Sequence, residues 1–190
     1  MNQVSTIPRI EPSNPDEATG KAREILDQSK AKFGAHLNFF TTLANAPAVL
    51  DGYTGLSQAL SEGGLSPKIR EEIAVSVSGR NACGYCQTAH GHAARAQGVP
   101  TAELPDLIAG QVSDANEQAA VTFALQVLET RGQVSAEDLA AVRAAGYSDG
   151  EILEIIAHVA MTFFSNALNN VSDPVIDLPA LPLPAAKKAA

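Results

Sequence analysis

From Asn14 onward the chain is cut into short segments by residues that start and stop helices, and this punctuation leaves room for little but helices. Asn14-Pro15-Asp16-Glu17 supplies an N-cap, a proline at the first helical position and an acid at the third. The helix it predicts runs to about Lys32 and closes near Gly34. Pro47 opens a second helix toward Leu60, stopped by Gly63-Gly64, and Ser66-Pro67 caps a third that reaches about Gly79. Cys83 to Gln97 reads as a fourth, closed by Gly98. A short helix begins at Thr101 and Glu103 and ends near Gly110. Asp114 with Glu117, Ser135 with Asp138, and Ser148 with Glu151 cap three more, ending near Gly132, Gly146 and Asn169. No segment alternates apolar and polar residues long enough to demand a strand. The expected fold is all-α, a bundle of seven to eight helices.

Composition fits that reading. Hydrophobic residues make up 45% of the 190, aromatics only 5%, and tryptophan is absent, which favours helices packed through small aliphatic side chains. The length suits one domain over residues 14–170, with an extended arm over 1–13 and a tail over 171–190. Pro174, Pro179, Pro182 and Pro184 keep that tail extended. Its run Val175-Ile176-Asp177-Leu178 is too apolar for a free linker, so it is expected to lie in a groove of its own or a neighbouring subunit. A net charge of −8 argues against nucleic acid or anionic membrane as a partner. There is no uninterrupted run of 18 apolar residues and no basic, apolar leader at the N-terminus, so a cytoplasmic location is expected.

In such a reducing setting, Cys83-Gly84-Tyr85-Cys86 is more readily catalytic than structural, and these are the only two cysteines. On a helix Cys83, Cys86 and His90 share one face. With Asn81 as the expected N-cap, Cys83 would sit in the first turn, where unpaired N–H groups favour a thiolate, and Arg80 would add positive charge. Glu71 precedes Cys83 by twelve residues, about 18 Å along an unbroken helix. Gly79-Arg80-Asn81 reads as a break, however, and an antiparallel fold-back there sets Glu71 opposite His90. Carboxylate, imidazole and thiol would then form a proton relay. Bare charge does not choose between Glu71 and Glu72. A zinc site lacks ligands, since there is no second cysteine pair and His92 points about 200° away from His90. No metal and no cofactor are expected. His158 reads as a satisfied core or interface histidine, and Phe39, Phe40, Phe163 and Phe164 as core.

The pattern Glu71-Glu72-Ile73-Ala74-Val75-x-Val77-Ser78-x-x-Asn81-x-Cys83-x-Tyr85-Cys86-x-x-x-His90 resembles the signature of the alkylhydroperoxidase AhpD-like family, in the carboxymuconolactone decarboxylase superfamily, and is most similar to its peroxidase-related branch. The resemblance extends over roughly residues 35–180. It implies an AhpD-like helical bundle and a thiol-dependent hydroperoxide reductase, with Cys86 attacking the peroxide and Cys83 resolving. It selects Glu71 and His90 as the relay. It further implies an external dithiol or dihydrolipoyl-type reductant and a homo-oligomer, dimer-based or hexameric. Tyr85 stands where well-characterised members carry a histidine. The competing expectations are a cofactor-free decarboxylase, a redox-sensing oligomeric protein and a reductase of protein disulfides.

Overall fold

In a computed structural model that describes residues 7–184, nine α-helices follow one another among the described residues. They are α1 (Gly20–Phe33), α2 (Asn38–Leu43), α3 (Pro47–Ser61), α4 (Pro67–Arg80), α5 (Gly84–Ala96), α6 (Leu104–Ile108), α7 (Ala115–Thr130), α8 (Ala136–Ala144) and α9 (Asp149–Ser172). The described residues contain no strand. Residues 1–6 of the expected arm and 185–190 of the expected tail lie outside the described residues.

The caps form for the reasons the sequence suggests. Ser66 Oγ accepts the Ile69 N–H at 3.2 Å, and Asp114 Oδ1 accepts those of Asn116 and Glu117 at 2.9 and 3.0 Å. Ser135 and Asp138 form a reciprocal capping box, and Glu151 Oε2 accepts from the Ser148 N–H at 2.8 Å. The first helix departs from expectation. Asn14 Oδ1 accepts from Asp16, two residues on, and caps only a 3-10 turn, Pro15–Glu17. Ala18 and Thr19 are extended, so α1 begins afresh at Gly20. Helix α2 occupies a stretch that carries no capping signal.

Contacts divide the chain into two units, one of residues through Ala59 with Leu168–Leu178, the other of Leu60–Ala167 with the chain from Pro179. In the first, α1 buries Ala22, Ile25 and Leu26, and the Phe39 ring packs edge-on against Phe40 and Tyr53. The tail adds to it in extended form: the Asn38 N–H donates to Asp177 Oδ2 at 2.6 Å, and Asn38 Nδ2 donates to the Val175 carbonyl at 2.9 Å.

The second unit is built around α4, which is buried without interruption from Glu72 to Ser78 and so has no solvent face in that stretch. Ile73 and Val77 pack with Val121, Phe123 and Ala124 of α7 and with Ile152, Ile155 and Val159 of α9. Val75 joins a second cluster with Ala94, Leu104 and Leu107, sealed by Leu181 and Leu183 of the tail. Each such aliphatic side chain contributes about 1.5–3 kcal/mol of burial. Gly79 lets α4 approach α6, since a Cβ there would overlap the Ile108 carbonyl.

Two anchors fix how α9 runs beside α4. Near its start, the Glu154 carboxylate accepts the N–H groups of Gly64 and Leu65 at 2.8 and 3.1 Å. Farther on, Asn166 Nδ2 donates to Ser78 Oγ and Asn166 Oδ1 accepts from Asn81 Nδ2, both at 3.0 Å. Both helices therefore run in the same direction. By composition α9 is long and apolar enough to cross a bilayer, but its buried side supplies the core of this unit. The other side leaves Leu153, Ile156, Phe163 and Phe164 exposed, which corrects the expectation that both phenylalanines are core. Helical spacing puts these residues on one face.

Candidate active site

The turn between α4 and α5 builds the site. Helix α4 ends with Asn81 as its C-cap; the Ala82 N–H bonds the Gly79 carbonyl at 3.1 Å and the Cys83 N–H bonds the Ser78 carbonyl at 3.0 Å. This pair of bonds is a Schellman closure, which requires a left-handed residue after the cap. Glycine is the usual choice, yet Ala82 takes it, at φ 52°. A non-glycine residue there costs roughly 1–2 kcal/mol.

Cys83 then has two jobs at one position. It completes the closure of α4 and is the N-cap of α5, its Sγ accepting the Cys86 N–H at 3.3 Å. The expectation of Asn81 as that cap is corrected, because the left-handed turn at Ala82 delays the start of α5 and spends Asn81 on α4. Cys83 consequently sits one position before the first turn, facing the unpaired N–H groups of α5, and Cys86 is the third residue of the helix. Arg80 does not supply charge to the thiols as expected: its Nε pairs with Glu129 Oε1 at 3.0 Å, with both side chains half exposed. Cys83 and Cys86 are joined as a disulfide, 0% and 3% exposed. Beneath them Gln87 Nε2 donates to the same Ser78 carbonyl at 3.2 Å.

The fold-back brings Glu71 and His90 together, with His90 Nδ1 and Glu71 Oε2 2.8 Å apart and about a quarter of each side chain exposed. Beside an ionised carboxylate the Nδ1 holds the proton, so Nε2 is left with a lone pair that can act as a base. Cys86 lies one helical turn before His90 on α5. Tyr85 is buried beside the dithiol at 6% exposure.

The other titratable residues divide sharply. Glu72, next to Glu71 in sequence, turns instead toward α7. There Lys68 Nζ is 3.4 Å from Glu72 Oε1 and 2.6 Å from Glu117 Oε2. Burial, reinforced by the Glu117 charge and only partly offset by Lys68, raises the Glu72 carboxyl to about 7. The shorter contact to Glu117 explains why one lysine does so little for Glu72, whose Oε2 has no partner among the described residues. His92 Nε2 lies 2.9 Å from the Pro179 carbonyl, so it holds the tail. His158 is core, as expected, but it is not satisfied: it is 6% exposed and its Nε2 has no partner among the described residues. Its sequence neighbourhood, all apolar, carries no signal of this. Among the described residues no three His, Cys, Asp or Glu side chains converge as metal ligands would.

The sequence model of the carboxymuconolactone decarboxylase family matches residues 47–130, the stretch that contains the turn, the dithiol and both members of the pair. Among solved structures, an alkylhydroperoxidase AhpD core, an uncharacterised peroxidase-related protein from Ralstonia eutropha JMP134, is 26% identical, with a TM-score of 0.82 over 92% of this chain and 94% of that one. A peroxidase-related protein from Silicibacter sp. TM1040 is 22% identical, with a TM-score of 0.78 over 92% and 96%. The debrominase Bmp8, in complex with 2,3,4-tribromopyrrole, is 20% identical and has the same fold, with a TM-score of 0.76 over 91% and 94%. No curated protein matches the sequence.

Proposed function

We propose that the chain is a member of the AhpD-like, peroxidase-related branch of the carboxymuconolactone decarboxylase superfamily and that it reduces hydroperoxides through a Cys83–Cys86 dithiol cycle. The observation that carries this reading is the Glu71–His90 pair at 2.8 Å, one helical turn from a cysteine that is paired with Cys83.

In the reduced protein, Glu71 orients the His90 ring through Nδ1, and His90 Nε2 takes the Cys86 proton. The thiolate attacks one oxygen of the hydroperoxide; a sulfur–oxygen bond forms and the O–O bond breaks. The departing alkoxide takes the proton from His90 and leaves as alcohol, or as water if the substrate is hydrogen peroxide. The Cys83 thiol displaces hydroxide from the Cys86 sulfenic acid, releasing water and closing the disulfide. An external dithiol or dihydrolipoyl-type reductant returns two electrons and two protons. As the N-cap of α5, Cys83 is placed where the helix favours its thiolate during resolution. This chemistry fits a reducing compartment such as the cytoplasm. The exposed apolar row on α9 supports association with a second copy of the chain.

The test is loss of free thiols in reduced protein mixed with hydrogen peroxide or an alkyl hydroperoxide. Wild type should consume two thiols per peroxide, and His90→Ala should slow the reaction by roughly 100-fold or more. Cys83→Ser should stop at a sulfenic acid. An unchanged rate in His90→Ala would refute the relay. Lactone-decarboxylating activity that survives serine at both cysteines would favour the decarboxylase reading instead.

A further inference from the structure

His158 is the one buried imidazole that the proposed cycle leaves idle, and its place in the fold is not idle. The anchors at Glu154 and Asn166 set the register of α9 against α4. Glu154 is level with Gly64 and Leu65, and Asn166 with Ser78 and Asn81. His158 follows Glu154 by one turn, about 6 Å along the axis. Counting back instead from the other anchor, eight residues separate His158 from Asn166, and eight residues before Ser78 stands Arg70, next to Glu71. His158 is therefore level with the carboxylate that holds His90. The groups whose charges reach it confirm this placement: Arg70 and Glu71 from α4, His90 from α5 and Glu154 from its own helix.

None of these groups bonds it. The Glu154 carboxylate is committed to two backbone N–H groups, Arg70 Nη1 donates to the Leu60 carbonyl at 2.9 Å, and Glu71 Oε2 is committed to His90. A buried polar atom with no partner costs roughly 1–3 kcal/mol, so such atoms call for an explanation. Burial and the Arg70 charge hold the His158 ring well below its ordinary value, at about 4, so it is neutral wherever thiolate chemistry runs. A neutral imidazole keeps one N–H and can donate a hydrogen bond without surrendering the proton.

Resting on the peroxidase reading above, we propose that His158 Nε2 is the hydrogen-bond donor to the leaving oxygen of the hydroperoxide, forming with the Glu71–His90 pair a subsite for the O–O group. As the O–O bond lengthens, negative charge gathers on the leaving oxygen, the one that carries the alkyl group. His158 stabilises that charge, and His90, carrying the proton taken from Cys86, delivers it. The two imidazoles thus divide the work. His90 governs whether the thiolate exists, and His158 governs how well a peroxide oxygen departs.

That division sets the test. Reduced wild type, His158→Phe and His158→Gln are each reacted with an alkyl hydroperoxide and, separately, with iodoacetamide, which reports the thiolate but has no oxygen to release. Phenylalanine keeps a planar ring and removes the donor, so peroxide oxidation should slow by roughly 100-fold while alkylation stays within about twofold. Glutamine, whose amide reaches the Nε2 position, should restore most of the rate. Equal peroxide rates in wild type and His158→Phe would overturn the inference. So would a parallel loss of both reactions, or a glutamine variant as slow as the phenylalanine one. The relay reading fails differently, through a His90→Ala protein that loses neither reaction. A wild type inert to hydroperoxides would overturn both.

Discussion

Replacing Glu72 by glutamine should change how stability depends on pH, in an amount that the structure specifies. The residue is 2% exposed, its nearest cation prefers Glu117, and burial pushes its carboxyl up to about 7 from an ordinary 4.5. The folded protein therefore binds this proton more tightly than the unfolded chain does. The stabilisation is complete below the unfolded value of 4.5 and is lost as pH rises through about 7. At about 1.4 kcal/mol per pH unit, the loss between pH 5 and pH 8 is about 2.5 kcal/mol. Urea unfolding of wild type and Glu72→Gln at intervals across that range measures it, and the difference between the two cancels every other titrating group. The variant should gain about 2.5 kcal/mol on wild type from pH 5 to pH 8. A difference that stays constant with pH would show that Lys68 satisfies Glu72 after all, and would refute the argument from its unpartnered oxygen.

His158 should act in the opposite sense. Its ring is held at about 4 against an ordinary 6.5, so its contribution is present above 6.5 and is lost as pH falls toward 4; His158→Phe should gain about 2 kcal/mol on wild type between pH 7.5 and pH 5 in the same unfolding assay. Ala82→Gly relieves a left-handed alanine and should raise unfolding free energy by about 0.5–1 kcal/mol. Phe163→Glu with Leu153→Glu places charge on the exposed α9 face and should shift the light-scattering mass of an oligomer toward that of one chain, without loss of helix content by circular dichroism.

Local chemistry was legible where it is self-contained. Ser66, Asp114, Ser135 and Ser148 cap the helices they precede because each side chain reaches its own backbone within three residues. The approach of α4 to His90 was legible too, because a single break between two regular helices folds them back antiparallel, but the choice of Glu71 over Glu72 came from the family resemblance and not from the geometry. Asn81 misled because asparagine is at home at either end of a helix, and only the left-handed turn at Ala82 makes it the C-cap of α4 instead of the N-cap of α5. Arg80 misled because Glu129, its partner, is 49 positions away in sequence. Glu72 and His158 look ordinary in sequence. What sets them apart is the parallel packing of α9 and the approach of α7, and no local pattern encodes either.

Three features of the second unit work against stability: a left-handed alanine before Cys83, a half-paired glutamate beside Glu71, and an imidazole nitrogen without a partner level with Glu71. All three lie on α4 or against it, the helix that delivers Glu71 to the site. Such costs persist where the surrounding packing enforces them, and they gather at functional sites. Each can be removed by one substitution expected to stabilise the fold over some range of pH. That makes the variants informative together, because a gain in stability has no reason of its own to slow a reaction. Ala82→Gly tests whether the geometry of Cys83 needs its strained neighbour, and Glu72→Gln alters α4 on the side away from His90. If these two stabilise and still oxidise at the wild-type rate while His158→Phe stabilises and slows, the cost at His158 is tied to chemistry and the other two are costs of packing alone. A uniform slowing in all three would instead mean that α4 must be strained as a whole to hold Glu71 against His90.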